Sequence, residues 1–367
     1  MSKKTIIIII LAVLILGLAW GAVYYIYFVK RPAENSQNNN SIQNSGFPEV
    51  IESPNIIQES NNDAQAFDTA DVFASALSAD GAKILYFEKF SGNLFSADFL
   101  GSGKEKMSAA DAPDLLKARW SNDKTRVILS FPTEEGVANI LYDLTKQKTT
   151  PLDAEITDFV FGPKDNRFVF ARDGQVYLSD ADYKKPSLIY SGRILNAMLS
   201  WPEASTVYII TPASEYVPGA LLSLNIKNGA LKKILEAPAL IINPSLDGKK
   251  LLYSSRNSLF LADNAGKGLM PLPFSTLASK CVFAANMVNL YCAVPKSMPS
   301  NFVIDDYYKG LIDFDDEFKK VNLKTNDVSN IQAPEGNFDA QNLIISPKED
   351  YLMFVNRKDG KLYSIKI

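Results

Sequence analysis

Leu77–Phe87 reads LSADGAKILYF, and Pro244–Ser254 reads PSLDGKKLLYS. In both, a polar Ser-x-Asp-Gly turn separates a short apolar stretch from a run rich in Leu, Ile, Tyr and Phe. Asp and Gly are the residues of tight strand connections, and a continuous apolar run of this length suits a strand buried on both faces. The same layout recurs in WSNDKTRVILSF (Trp120–Phe131), FGPKDNRFVFA (Phe161–Ala171), SWPEASTVYII (Ser200–Ile210) and ISPKEDYLMFV (Ile345–Val355), and in a degenerate copy, FAANMVNLYCA (Phe283–Ala293). The turns start at Ser78, Ser121, Gly162, Trp201, Ser245, Ala284 and Ser346, with steps of 43, 41, 39, 44, 39 and 62 residues.

A third, alternating strand follows each copy: NLFSADF from Asn93, NILYDLT from Asn139, QVYLSDA from Gln175, ALLSLNI from Ala220, SLFLADN from Ser258, KKVNLKT from Lys319 and KLYSIKI from Lys361. A short apolar or Pro-containing stretch, such as TTPLD near Pro151, supplies a fourth. A period of about 40 residues with four strands per unit predicts an all-β, seven-bladed β-propeller. One such sheet cannot bury both faces alone, so neighbours must stack until a ring closes. The seventh unit ends at Ile367 after three strands, and an unpaired edge is a liability. EVIESPNIIQES (Glu49–Ser60) has the apolar content to complete that blade, which gives a propeller domain over 49–367.

The quoted turns carry a family resemblance. Ser78-Ala79-Asp80-Gly81 with Lys83 and Tyr86, Ser245-Leu246-Asp247-Gly248-Lys249-Lys250 with Tyr253, and the partial Ile345-Ser346-Pro347 resemble the repeat of TolB-like, WD40-like (PD40) propellers of bacterial envelopes. The resemblance spans most of residues 71–367 and is strong in two or three repeats. It implies the propeller fold and a protein partner, and it specifies no chemistry.

Ahead of the repeats, a basic head (1–4) precedes an uncharged run over 5–29, TIIIIILAVLILGLAWGAVYYIYFV, followed by Lys30 and Arg31. As a helix this run is about 37 Å long, enough for one tilted membrane span, with tyrosines near one end. A cleaved signal peptide has a shorter apolar core, so an uncleaved signal-anchor is the expectation, with the bulk of the chain extracytoplasmic. Residues 30–48, including PAENSQNNNSIQNSG, read as a flexible tether.

Composition removes several chemistries. The 367 residues hold no histidine and two cysteines, so imidazole-based catalysis, imidazole zinc sites and four-cysteine metal sites are excluded. Neither a P-loop nor a dinucleotide fingerprint occurs. Net charge is −3 with dispersed basic residues, which gives no reason to expect nucleic acid. The Ser-x-Asp-Gly turns lack the ligand spacing of a calcium loop. No catalytic residue, cofactor or metal is therefore expected. Cys281 and Cys292 fall nearly opposite one another if their hairpin turns at Met287, and the sequence leaves a disulfide and two buried thiols both open.

The 62-residue step marks an insertion, Val294–Phe318, between second and third strands. It should share a face with the inter-blade loops and with the Thr211–Gly219 loop, and deleting Asn301 to Phe318 should leave the fold intact but abolish partner capture. That rim collects Tyr216, Asp305, Asp306, Tyr307, Tyr308, Asp313, Asp315 and Asp316, aromatic residues beside carboxylates that suit a protein or envelope-polymer partner. The alternatives are a variable solvated loop on a passive scaffold, and a carboxylate-based glycan hydrolase or lyase.

Overall fold

A computed structural model describes residues 65–67, 71–109, 112–299, 302–333 and 336–367. The head, the apolar run, the tether and Glu49–Ser60 lie outside the described residues. Among the described residues, no helix is long and apolar enough to cross a membrane.

Seven four-stranded antiparallel sheets follow one another along the chain. Blades 1 to 6 begin with the first strands Val72–Leu77, Lys117–Trp120, Ile156–Phe161, Met198–Glu203, Ile241–Pro244 and Cys281–Phe283, and blade 7 with Ala340–Ile345. The first strands of blades 1 to 4 neighbour one another in turn, as do those of blades 6, 7 and 1, and blade 5 packs on blade 4 through Leu251 with Tyr208 and on blade 6 through Leu252 with Cys281, so the ring closes. Second strands are buried along nearly their whole length, as in Ile84–Glu88, Phe168–Arg172 and Tyr351–Asn356. They lie between two neighbouring sheets, which is why they read as continuous apolar runs. Third strands such as Asn93–Ala97 and Asp316–Asn322 largely alternate.

The turn repeat has a physical basis. In six blades the first turn residue donates its N–H to the carbonyl five residues on: Ser78 to Lys83, Ser121 to Arg126, Gly162 to Arg167, Ser245 to Lys250, Ala284 to Asn289 and Ser346 to Tyr351. Where serine leads, its Oγ also accepts the N–H of that fifth residue, at 2.9 Å in Lys83, Arg126, Lys250 and Tyr351. The aspartate in turn accepts the serine hydroxyl, at 2.6 Å for Asp80 and 2.8 Å for Asp247. Blade 4 departs from the pattern: its strands run on to Glu203 and Thr206 past a bulge.

The fourth turn residue is left-handed in five blades, at Gly81, Lys124, Gly248, Met287 and Glu349. At Gly81 (φ +69°) a Cβ would also lie 2.7 Å from Pro347 Cγ of blade 7. Gly81→Ala is therefore expected to cost about 1–3 kcal/mol through conformation and collision, measured as a lower urea midpoint at constant m.

Closure uses a different segment from the one anticipated. Gln65–Ala66 pairs antiparallel with Leu362–Lys366 and completes blade 7. Phe67 donates its N–H to Leu362 O at 2.9 Å. Its ring is buried with Tyr86 and Ile84 of blade 1 and with Met353, Val355 and Leu362 of blade 7.

Cys281 and Cys292 are direct cross-strand partners and form a disulfide, with Cα atoms 4.1 Å apart. Met287 occupies the left-handed position of the connecting turn (φ 57°). Replacing both cysteines by serine is expected to destabilise the fold by about 2–4 kcal/mol. Dithiothreitol should then have no further effect on the urea midpoint of the double variant.

Candidate partner-binding face

Strand alternation puts the insertion between the second and third strands of blade 6 on the same side as the inter-blade connections, opposite the serine turns. The insertion folds back as a packed element. Its one-turn helix α1 (Ile304–Tyr308) buries Ile304 and Tyr307. The backbone turns away through Gly310 (φ +76°), with Leu311 N–H bonded to Asp306 O at 2.9 Å. Phe302, Ile304, Tyr307 and Phe314 form an apolar cluster with Leu277 and Ala239. Tyr307 and Phe314 stack at 4.8 Å between ring centres.

Beneath this lid lies a buried ionic network. Lys280, in the short helical turn Ala278–Lys280 before blade 6, is 1% exposed. Its ammonium sits 2.8 Å from Asp316 Oδ2 and 2.5 Å from Asp339 Oδ1. Asp339 also accepts the Tyr307 hydroxyl at 3.0 Å and the Phe314 N–H at 3.3 Å, and faces Arg357 at 3.5 Å. Arg357, on the turn after the second strand of blade 7, donates to Tyr307 O and Ile312 O and lies 4.3 Å from the centre of the Tyr307 ring. Two cations thus face two carboxylates, the composition a buried ionic cluster requires. Asp316 Oδ2 takes both Lys280 and the Ala340 N–H (2.7 Å), while Oδ1 is buried without a partner. Burial accordingly pushes the Asp316 carboxyl up to about 6 against the pull of Lys280. Burial and the adjacent Asp339 push the Tyr307 hydroxyl upward as well. The insertion is therefore an integral part of the fold and not a removable appendage.

The Thr211–Gly219 loop is tied to the same structure. Glu215 N–H donates to Asp305 Oδ2 at 3.1 Å, and Glu215 Oε1 accepts from Arg256 of blade 5 at 2.8 Å. Within that loop Val217 N–H reaches Ser214 Oγ at 3.0 Å, and Ser214 O accepts the Ala239 N–H at 2.8 Å.

The eight rim residues separate by role. Tyr216 (82%) and Tyr308 (60%) are exposed, while Tyr307 and Asp316 are buried in the network and present no surface. Asp305 holds the blade 4 loop. Asp315 pairs with Lys296 at 3.0 Å and Asp313 with Lys358 at 3.4 Å. Asp306 is half-buried. Reading the sequence missed Lys280, Asp339 and Arg357, and it missed the exposed Val217 and Leu311. One signal was available for the first of these: Lys280 is the one charged residue in Thr276–Ala285, TLASKCVFAA.

No family model matches the chain, and no curated protein sequence matches it. Solved structures do match. The oligogalacturonate lyase in complex with manganese superposes with a TM-score of 0.59 at 13% identity, covering 83% of this chain and 91% of the lyase chain. The Cps50 (Swd1) β-propeller domain of Myceliophteria thermophila gives 0.56 at 12% identity, covering 83% and 99%. The tricorn protease gives 0.55 at 15% identity over 87% of this chain, which spans 34% of the protease chain. At these identities the likeness is one of fold, and it places the chain among β-propellers whose neighbours include a lyase and a protease.

Proposed function

We propose that the protein is a membrane-anchored, extracytoplasmic propeller of the TolB-like kind that binds a protein or envelope-polymer partner through its loop-rich face. The observation that carries this reading is the rim itself. Tyr216, Val217, Tyr308 and Leu311 are exposed on two loops that are hydrogen-bonded to each other and fixed from below. Large apolar and aromatic side chains held in place bind at low entropic cost. Three rim carboxylates are engaged in capping or ion pairs, so the displayed groups suit binding better than acid–base chemistry. The apolar run over 5–29 supports the anchor, and the Cys281–Cys292 disulfide suits an oxidising compartment.

The test is capture of partners from native membranes by the full chain and by a Tyr216→Ala, Tyr308→Ala double variant. Both substitutions lie at exposed side chains and leave the fold in place. The reading expects a reproducible partner whose recovery falls at least tenfold in the variant. Equal recovery from both proteins contradicts it.

A further inference from the structure

A cleft of about 370 Å³ lies on the serine-turn side of the ring between blades 2 and 3. Its charged lining consists of Arg126, Lys146, Lys148 and Lys184 against Asp143 and Asp182, four cations to two carboxylates in a chain of net charge −3. Asp143 and Asp182 both face Arg126 Nη2, at 3.2 and 3.3 Å. Lys146 lies 3.4 Å from Asp143, and Lys184 lies 3.0 Å from Asp182. Burial alone would favour the neutral acid at Asp143, but the Lys146 N–H and the Arg126 charge outweigh it and hold the carboxyl below its ordinary value. The Lys184 ammonium lowers Asp182 likewise. Both aspartates are thus ionised at neutral pH, and the cleft keeps an excess of two positive charges.

One cation is left over. Lys148 makes no ion pair among the described residues. Arg126 Nε is buried without an acceptor and does not reach the cleft surface, while its Nη2 is taken by the two aspartates, so the guanidinium is a fixed positive charge behind the lysines. The wall opposite is unusual. The turn led by Asp180 places Tyr183 in the left-handed region (φ 58°), where the corresponding turns led by Asp98 and Asp263 have Gly101 and Gly266. A bulky residue held against that preference keeps its ring at the cleft, with its inner side stacked on Phe168.

We propose that this cleft binds a phosphate group. Ammonium groups converging on a cleft backed by a fixed guanidinium charge suit a tetrahedral oxyanion, and two surplus positive charges balance a dianion where a single carboxylate would leave one uncompensated. The volume admits the group together with a small body such as glycerol or a sugar. The same chemistry is carried by a free phosphate ester and by a lipid headgroup.

The experiment is calorimetric titration of the detergent-solubilised full chain with inorganic phosphate, glycerol 3-phosphate, dihexanoyl phosphatidylglycerol and galacturonate. Saturable binding of a phosphate compound is expected with a Kd below about 1 mM. Lys148→Ala and Lys184→Ala should each weaken it about tenfold. Lys148 is exposed and unpaired, so its variant folds as the parent does. Binding of the short-chain lipid in preference to the soluble esters assigns the site to a headgroup, and the reverse assigns it to a free phosphate. No saturation by any phosphate compound, affinities unchanged in both lysine variants, or tighter binding of galacturonate each overturns the proposal.

Discussion

Replacing Lys280 by methionine is expected to destabilise the propeller by about 3–5 kcal/mol. Methionine fills much of the same volume, so the loss is electrostatic: Asp316 and Asp339, both without exposed side-chain surface, lose their shared cation. Asp339 retains Arg357, but Asp316 is left with the Ala340 N–H alone. The variant also carries a pH signature. Asp316 titrates at about 6 in the folded chain against an ordinary 3.8, so its contribution to stability is present below about 4 and lost as pH rises through 6. Without Lys280 that value rises further and the loss extends to higher pH. Urea unfolding from pH 4 to 8 measures both effects. A loss below about 1 kcal/mol at pH 7, with an unchanged pH profile, would mean that the network does not hold the insertion down.

Phe67→Ala should have an effect of similar size, about 3–5 kcal/mol. The ring is the one large apolar group of the closing segment, and it bridges blades 7 and 1. The strand beside it contributes only the Gln65–Ala66 pairing. Truncating Phe67 leaves a cavity at the seam where the ring is joined non-covalently. A cost below about 1 kcal/mol in urea would show that the latch lies elsewhere.

The fold was legible because its signal is redundant. Seven copies of an apolar–turn–apolar pattern report the blades, and their turns share one backbone hydrogen bond in six of the seven, four of them led by serine. The closing strand was not legible. Gln65–Ala66 has no alternation, and one phenylalanine carries its packing, so the more apolar Glu49–Ser60 drew the expectation. The rim was legible in composition but not in orientation. Tyr307 and Tyr308 are adjacent on a one-turn helix, about 100° apart around its axis, so one points inward and the other outward. Their order alone carries no sign of which is which. Lys280, Asp339 and Arg357 come from three separate connections, and only the closed ring brings them to Tyr307. The disulfide lay between these extremes, since its register followed from a turn at Met287 that the structure contains.

Binding through the loop-rich face is tested most directly by site-specific photocrosslinking of the full chain in native cells. The crosslinker is placed in turn at Tyr216, at Tyr308 and at Leu246, the last equally exposed but on a serine turn of the opposite face. A discrete covalent adduct from positions 216 and 308, absent from 246, is the predicted result. An adduct from 246 of equal yield, or none from either tyrosine position, would contradict the account.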